Sequence, residues 1–440
     1  MAILDAGRPA GRYRVVTAIV AALVVIAGAG RLQGQVPSYS SLYDPLRVLD
    51  LNLEMDPADW NTIRSDLSYD IEKPAYFWAD GESKIVVSLR RKPNLADGDK
   101  VALKIDVNQY FDNQQWHGVK KLSLENGYEK DVVSEGFAWY LHRCAGGLAG
   151  VDYRPPLAAW VNVTVNGQPL GVYANVEQPD KTFLRNRDLW VSDETWLYKQ
   201  GDIGAPTLEA GTGESPAYAA LDYRPFRARG SLPPAGYQTH VQSLINMAEM
   251  LTVGAVNTFS STNDELLSKG KNFFFADFGA GAGDGQRLYF PWDLDSVFNS
   301  LTRSIYANVT DYQVYLVNAP PFRDQYTQIM MDLLSGPLAV APLTGFLDQL
   351  ETVLTPSLLA DPYSDLGSTP EEIAGYFEEM RQWVTNRHAN VLQQVQAEML
   401  AGSPASTPEP TTLAMVGIAL IGVLRRRIRA AARGQEAAPR

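Results

Sequence analysis

The stretch AAWVNVTVNGQPLGVYANVE, residues 158–177, predicts a β-hairpin in the N-terminal half of the chain. Two runs rich in β-branched and aromatic residues flank Asn166-Gly167, and Asn-Gly is the strongest short-range hairpin signal because both residues readily take positive φ. Upstream, VALKIDV (101–107) and VKKLSLE (119–125) alternate apolar and polar residues, as half-buried strands do. These patterns predict a β-rich first half.

Helical patterns are sparse in this half and dominate after residue 320. DPADWNTIRSDL (56–67) predicts a short helix with Asp56 as its N-cap before Pro57, and DVVSEGFAWYLHRC (131–144) is a compact helix candidate. STPEEIAGYFEEMRQWVTNRHANVLQQVQAEML (368–400) has a Ser/Thr cap and apolar residues at helical spacing. The order predicts an α+β, two-lobed layout.

The sequence pattern changes in the middle of the chain. A Gly/Pro-rich stretch, 201–235, predicts a long loop or an insertion, and HVQSLINMAEMLTVGAVNTF (240–259) predicts a helix. NFFFADF (272–278) and RLYFPWD (287–293) predict two strands joined by GAGAGDG. This Gly-rich run lies between strands and not ahead of a helix, which favours a hairpin loop over a phosphate-binding loop.

Composition excludes several functional classes. The 440 residues are 45% hydrophobic and 20% charged, with a formal net charge of −12, which argues against nucleic-acid binding. Cys144 is the one cysteine, so no intrachain disulfide can form, and the four histidines are scattered. Metal sites built from Cys or His are therefore not expected.

Both ends carry the pattern of processing signals. Arg8, Arg12 and Arg14 precede the apolar run 15–30, which predicts a secretory signal peptide over 1–34 that is read by the Sec machinery; an uncleaved anchor is the alternative. At the other end, Pro408-Glu409-Pro410 is followed by a short apolar stretch and three arginines, 425–427.

The C-terminal pattern resembles the PEP-CTERM sorting signal, here over 403–440 with a short transmembrane segment and a basic tail. The resemblance implies membrane contact before processing, recognition by an exosortase, and a mature protein at the surface or in the matrix of a Gram-negative-type envelope. A simple tail anchor is the alternative.

The candidate chemistry is phosphoryl transfer, which needs a cation on the phosphates, a metal on carboxylate oxygen, and a carboxylate near the acceptor hydroxyl. Asp293 and Asp295 follow a strand and supply oxygen ligands of the kind Mg²⁺ prefers. NDELLSKGKN (263–272) supplies Asp264 as a possible base and Asn272 as a further metal ligand. The alternatives are turn formation, a helix cap at Asp264, and a structural Ca²⁺ site.

Two lysines and a glutamate upstream complete this set. Lys120 and Lys121 lie on a predicted strand, and Glu135 lies on the next helix, an arrangement that can form the ion pair that positions a phosphate-binding lysine. Strand alternation sends the two lysines to opposite faces, and the sequence leaves open which one binds phosphate. A solvated strand face and an exposed helix position are the alternatives.

Four ordered blocks resemble the spore coat protein H (CotH) kinase-like family over about 50–395: HGVKKLSLENGYEKDVVSEGFAWYLHRCAG, VNVTVNGQPLGVYANVEQPDKTFL with LYKQG, NDELLSKGKNFFFADF, and LYFPWDLDSVF. The resemblance implies an atypical, minimal protein-kinase fold over 93–402, with a β-rich segment at 35–92 before it. It implies a β-rich N-terminal lobe and a mainly helical C-terminal lobe.

The resemblance also implies roles for single residues. Lys120 or Lys121 and Glu135 would serve the phosphates, and Glu177 would lie at the hinge near the adenine. Asp264 would be the catalytic base, and Asn272 and Asp293 would be metal ligands. Asp295 would be a supporting carboxylate. Asp264 precedes Asn272 by eight positions, wider than in an ordinary kinase catalytic loop.

The resemblance implies a secreted, surface-sorted kinase that uses ATP with Mg²⁺ or Mn²⁺ to phosphorylate Ser/Thr of envelope or extracellular proteins. The sequence departs from the family pattern at one position that bears on activity: in LRRKPN (89–94), Pro93 occupies the position where the family usually has Gly. If this turn covers the phosphates, proline there removes an N–H and fixes φ, which reduces nucleotide affinity. The alternative function is therefore an inactive CotH-like scaffold of the surface or matrix.

Overall fold

Seven strands of the N-terminal half close into a barrel, in the order β1-β2-β3-β4-β5-β7-β6. The computed structural model describes residues 40–402 apart from 94–99, 128–129, 191, 203, 222–223 and 280–284, and the predicted signals at 1–34 and 403–440 lie outside this range. The strands are β1 (Leu49–Glu54), β2 (Lys73–Ala79), β3 (Ile85–Arg91), β4 (Leu103–Asp106), β5 (Lys121–Glu125), β6 (Ala158–Val165) and β7 (Gln168–Glu177).

Barrel closure depends on one parallel pairing. Leu49 of β1 pairs with Val161 of β6, whereas the neighbouring strands run antiparallel. The interior contains the apolar residues of alternate positions, including Leu122 and Leu124 of β5, both with 0% exposure. The outward positions of the same strands are thereby left for polar side chains.

The predicted hairpin is confirmed as β6–β7. Asn166 and Gly167 have φ values of 51° and 75°, the positive values that a two-residue turn of type I′ requires. The predicted domain boundary at residue 92 falls between β3 and β4, which pair with each other within the barrel.

A second sheet of four strands, in the order β11-β10-β8-β9, follows the barrel in the chain. Its strands are β8 (Thr195–Gln200), β9 (Thr207–Ala210), β10 (Phe273–Phe278) and β11 (Leu288–Pro291). Strand β10 is central and antiparallel to both neighbours, and all six of its residues are buried. Burial on both faces explains its run of phenylalanines.

The helices confirm the predicted order, with the long ones at the end of the fold. They are α1 (Pro57–Ser65), α2 (Val132–Ala145), α3 (Lys181–Arg185), α4 (Pro216–Leu221), α5 (Pro234–Leu244), α6 (Met247–Phe259), α7 (Phe322–Ser335), α8 (Val340–Ala360) and α9 (Pro370–Gly402). Shorter helical turns lie at Ser40–Tyr43, Arg227–Gly230 and Gln313–Val317. The mixed α+β class, β-rich first and helical later, is thus confirmed.

Two predictions for the middle of the chain differ from the structure. The stretch 201–235 contains β9 and α4, so the prediction of a plain loop is wrong and the alternative of an insertion stays a prediction. The single helix predicted over 240–259 is broken into α5 and α6, because Asn246 caps α6 by accepting a hydrogen bond from Glu249 N at 3.1 Å. Side-chain capping competes with helix continuation at such a residue.

Within the described residues no single helix is long and apolar enough to span a membrane. The bent pair α7 and α8, with 54° between them, meets the length and composition requirement jointly.

Helix α2 packs closely against the barrel through a glycine. A Cβ on Gly136 would lie 2.5 Å from Cε2 of Trp160 on β6, whose indole Nε1 donates to Val132 O at 2.9 Å. We therefore expect Gly136→Ala to lower the free energy of unfolding by about 1–3 kcal/mol through overpacking. Denaturant unfolding of the full-length chain measures this change.

The matched control is Gly375→Ala in α9, where a Cβ meets no atom within 4 Å. Alanine in an open helix position stabilises by roughly 0.5–1 kcal/mol, so the two variants should shift stability in opposite directions. Equal shifts would mean that the Trp160 contact does not set the position of α2.

Candidate active site

Asn272 and Asp293 lie side by side at one end of the second sheet. Asn272 precedes β10 and Asp293 follows β11, two paired strands, and Trp292 N donates to Asn272 O at 3.1 Å. Both residues have a left-handed backbone conformation, with φ of 56° and 58°. Asn and Asp tolerate this conformation better than other side-chain-bearing residues, and such backbone conformations cluster at functional sites.

Asp264 lies against Asn272. The Asn272 Nδ2 donates to Asp264 O at 3.1 Å, and Lys269 Nζ and Lys271 Nζ each lie 2.9 Å from an Asp264 carboxylate oxygen. Burial would raise the pKa of Asp264, but hydrogen bonds from the two lysines outweigh burial and hold the pKa below its usual value. Asp264 is therefore ionised at neutral pH. No helix begins at Asp264, so the capping alternative does not apply.

The loop that carries Asp264 is held by a buried polar network. The Glu265 carboxylate accepts from Leu267 N and Ser268 N, both at 2.7 Å, and from Asn257 Nδ2 at 3.1 Å. His142 Nε2 lies 2.9 Å from Asn257 Oδ1, and burial lowers the pKa of His142 to about 3. The histidine is thus a neutral structural residue linking α2, α6 and the Asp264 loop.

Glu135 is buried on α2 and faces a group of carboxylates. The helix begins after Asp131, whose side chain accepts from Ser134 N at 2.6 Å, and Glu135 has 3% exposure. Burial, with the charges of Glu125, Asp295 and Asp293 around it, raises the pKa of Glu135 well above its usual value. The alternative of an exposed helix position is therefore wrong.

Asp293 shares this environment. Burial raises its pKa, as does the charge of Glu125, while Lys92 and Lys199 act in the opposite direction. Asp264 is a further electrostatic neighbour of Asp293. The structure thus brings together four of the predicted residues: Asp264, Asp293, Asp295 and Glu135, with Asn272 at their edge.

Lys92 and Lys199 lie beside the candidate site, and the sequence patterns did not single them out. Lys92 forms an ion pair with Glu125, and its Nζ donates to Ser123 Oγ at 2.7 Å. The ammonium groups of Lys92 and Lys199 lie 5.4 and 5.5 Å from the Trp292 ring centroid. Both lysines lie in stretches quoted above, LRRKPN and LYKQG, but their convergence depends on strand packing.

The other predicted residues have different surroundings. Lys121 Nζ lies 3.9 Å from Asp106 Oδ2, and Lys120 is half-buried just before β5. The Glu177 carboxylate pairs with Arg187 at 2.6 and 2.8 Å and accepts from Leu157 N at 3.0 Å. With 2% exposure, the Glu177 side chain contributes to the packing of the barrel end.

Among the described residues, no group of three or more His, Cys, Asp or Glu side chains has the arrangement of a metal site. Asp293, Asp295 and Asn272 still supply two carboxylates and an amide oxygen. Mg²⁺ commonly takes only one or two protein carboxylates and completes its shell with water and substrate phosphates. The donor set of two carboxylates and an amide oxygen therefore fits a divalent cation.

Comparison with known families identifies the chain. The profile of the CotH kinase protein family matches residues 95–391, more than half of the sequence, and the chain belongs to this family. The PEP-CTERM protein-sorting motif matches residues 406–429 and implies exosortase processing and export to the cell envelope or surface. A search of curated proteins finds no match.

Proposed function

We propose that this protein is an exported, surface-sorted atypical protein kinase that transfers the γ-phosphoryl group of ATP to Ser/Thr hydroxyls of envelope or extracellular proteins. The observation that carries the proposal is the convergence of Asp264, Asn272 and Asp293 next to Lys92 and Lys199. A cationic phosphate site beside oxygen ligands and an ionised carboxylate is what phosphoryl transfer requires.

Each group has a role in this proposal. Lys92 and Lys199 bind phosphate oxygens, and Asn272, Asp293 and Asp295 would hold Mg²⁺ or Mn²⁺, which neutralises phosphate charge when bound. Asp264 accepts the hydrogen bond of the acceptor hydroxyl and takes its proton. The ionised state that Lys269 and Lys271 maintain suits this role.

The proposal includes the two-lobed kinase-like arrangement, with the barrel strands and α2 serving the nucleotide. Lys120 and Lys121 remain predicted phosphate ligands, and Glu177 a predicted hinge residue. Lys92 is a better-supported partner for Glu135, because Lys92 is the cation that acts on the Glu135 carboxylate.

Export would follow from the two terminal signals. In this proposal the Sec machinery translocates the chain, the C-terminal segment contacts the membrane before processing, and an exosortase handles the sorting motif. The substrates would then be proteins of the same compartment.

The second candidate function is an inactive scaffold of the surface or matrix. It is favoured by the engagement of both Asp264 carboxylate oxygens with lysines and by Pro93 beside Lys92. A scaffold binds no nucleotide, whereas a ligand at 100 times its Kd raises the free energy of unfolding by about 2.7 kcal/mol. Thermal unfolding with and without ATP and Mg²⁺ separates the two.

The direct test is autophosphorylation. We expect the full-length chain, purified in mild detergent, to incorporate label from γ-labelled ATP on its own Ser/Thr when Mg²⁺ or Mn²⁺ is present, and to lose this incorporation with chelator. Absence of both incorporation and nucleotide-induced stabilisation would exclude the kinase and leave the scaffold.

A further inference from the structure

The outward face of β3, β4 and β5 carries an unusual concentration of cations around Lys104. Lys104 of β4 pairs across the sheet with Arg90 of β3 and with Ser123 of β5, and directly opposed side chains lie on one face. Lys121 of β5, Lys92 beyond β3 and Lys199 of β8 are its further charged neighbours.

The carboxylates near this face already have partners. Glu72 lies 3.8 Å from Arg90 Nε, Asp106 lies 3.9 Å from Lys121 Nζ, and Glu125 pairs with Lys92. Lys104 itself forms no hydrogen bond or ion pair within the part of the chain that the structure describes. An amine without an anionic partner, among four other cations, is a site for an anionic ligand.

The position of the cluster identifies the class of anion. Lys92 and Lys199 belong to both groups of charges: they are electrostatic neighbours of Lys104 on one side and of Asp293 on the other. A ligand that reaches both groups must carry more than one negative charge. A di- or triphosphate chain has this form, with its terminal part near the carboxylates.

We propose that Lys104, with Arg90 and Lys121, forms a further subsite for the phosphate chain of the nucleotide, and that one proton from solvent enters with the anion. The inference rests on the proposed function of the same site. It adds Lys104 as a phosphate-binding residue and a pH dependence that neither the family match nor the sequence indicates.

The proton linkage follows from the surroundings of the amine. Burial lowers the pKa of Lys104 to about 7, helped by Lys121, Arg90, Lys92 and Lys199, and Asp106 on its own strand is the nearest acid along the chain. Near pH 8 the free amine is therefore mostly neutral. A bound phosphate supplies the missing negative charge and returns the amine to its protonated form.

The sign of the effect is fixed by this pKa. Well below pH 7 Lys104 is already protonated and binding takes up no proton. Above pH 7 each bound anion takes up as much as one proton, so affinity falls about fivefold between pH 7 and pH 8, approaches a tenfold fall for each pH unit above that, and falls roughly fifty-fold between pH 7 and pH 9.

Calorimetric titration of the full-length chain with inorganic tripolyphosphate and with ADP plus Mg²⁺, in buffers of different ionisation enthalpy, tests the proposal. Two variants accompany the wild type. Lys104→Met removes the amine, and Lys104→Arg keeps a charge that does not titrate. Because all three proteins meet the same ligands, subtraction removes the ligands' own titration.

We expect close to one more proton taken up by wild type than by either variant at pH 8.5, and an affinity of Lys104→Arg that does not share the fifty-fold loss by pH 9. Identical pH dependence of wild type and Lys104→Arg would overturn the proposal, as would wild-type affinity for tripolyphosphate in Lys104→Met at pH 7.

The outcomes also separate this inference from the proposed function. Phosphoryl transfer from ATP without proton uptake would remove the role of Lys104 and leave the kinase. Proton-linked tripolyphosphate binding without any transfer would remove the kinase and leave the anion site. Failure of both probes to bind at every pH would overturn both.

Discussion

Asp293→Asn should reduce phosphoryl transfer by at least about a hundredfold while leaving the protein folded. The substitution replaces one carboxylate of the proposed metal site by a neutral amide and so removes one negative charge. Asparagine tolerates the left-handed backbone, φ 58°, that residue 293 adopts, so the chain geometry is preserved. Label incorporation from ATP measures the loss of phosphoryl transfer, and thermal unfolding shows whether the variant is folded. Both are measured on the full-length chain.

The same variant should not be less stable, and this separates function from structural support. Burial raises the folded-state pKa of Asp293, so the folded protein holds a proton that the unfolded chain releases between the ordinary pKa and the raised one. Stability contributed by this group is therefore lost as pH rises through that window, and ionised Asp293 opposes folding above it. Asparagine removes this opposition.

Asp188→Asn is the matched control. Asp188 is also left-handed, with φ 56°, but it is exposed and outside the cluster. It should leave transfer unchanged. Equal activity of the two variants would overturn the role of Asp293, and a large drop in melting temperature for Asp293→Asn would make its loss of activity structural.

Asp277→Asn should lower the free energy of unfolding by about 3–5 kcal/mol, the largest stability effect that we expect in this protein. The Asp277 carboxylate on β10 accepts from Arg287 Nε at 2.6 Å and Nη2 at 2.9 Å, and both side chains have 0% exposure. Neutralising the acid leaves a buried guanidinium without its counter-charge. Denaturant unfolding of the full-length chain measures the loss.

An exposed ion pair provides the comparison. Lys73 Nζ lies 2.7 Å from Asp59 Oδ1 with about a third of each side chain exposed, and Asp59→Asn should cost no more than about 1 kcal/mol. The double variant Asp277→Asn, Arg287→Met should recover part of the loss, because it removes the stranded charge as well. Similar losses of unfolding free energy for Asp277→Asn and Asp59→Asn would contradict a larger structural role for the buried ion pair.

Much of the local structure followed from short sequence patterns. Asp56 caps α1 by accepting from Ala58 N at 2.7 Å, and Pro57 occupies the first helical position, as predicted. The Asn166-Gly167 turn and the helix predicted over 131–144, observed as α2 (Val132–Ala145), were also recognisable in the sequence. Each depends on backbone groups only a few residues away, which is why sequence alone sufficed.

The helix break at Asn246 could not be predicted from local sequence patterns. The apolar spacing of 240–259 is continuous, but Asn246 N donates to Arg287 O at 3.1 Å, a partner 41 positions further along the chain. A residue that caps a helix and also bonds to a distant strand interrupts a pattern that periodicity alone continues.

The sequence by itself determined the β-rich first half, the family, and the carboxylates at the end of β11. Only the tertiary structure decided which lysines meet them. Lys92 reaches Glu125 across 33 positions, and Lys199 joins it over Trp292, because the strands pair as they do and bring these side chains to one place. Register and packing between distant strands set such contacts, and no local pattern encodes them.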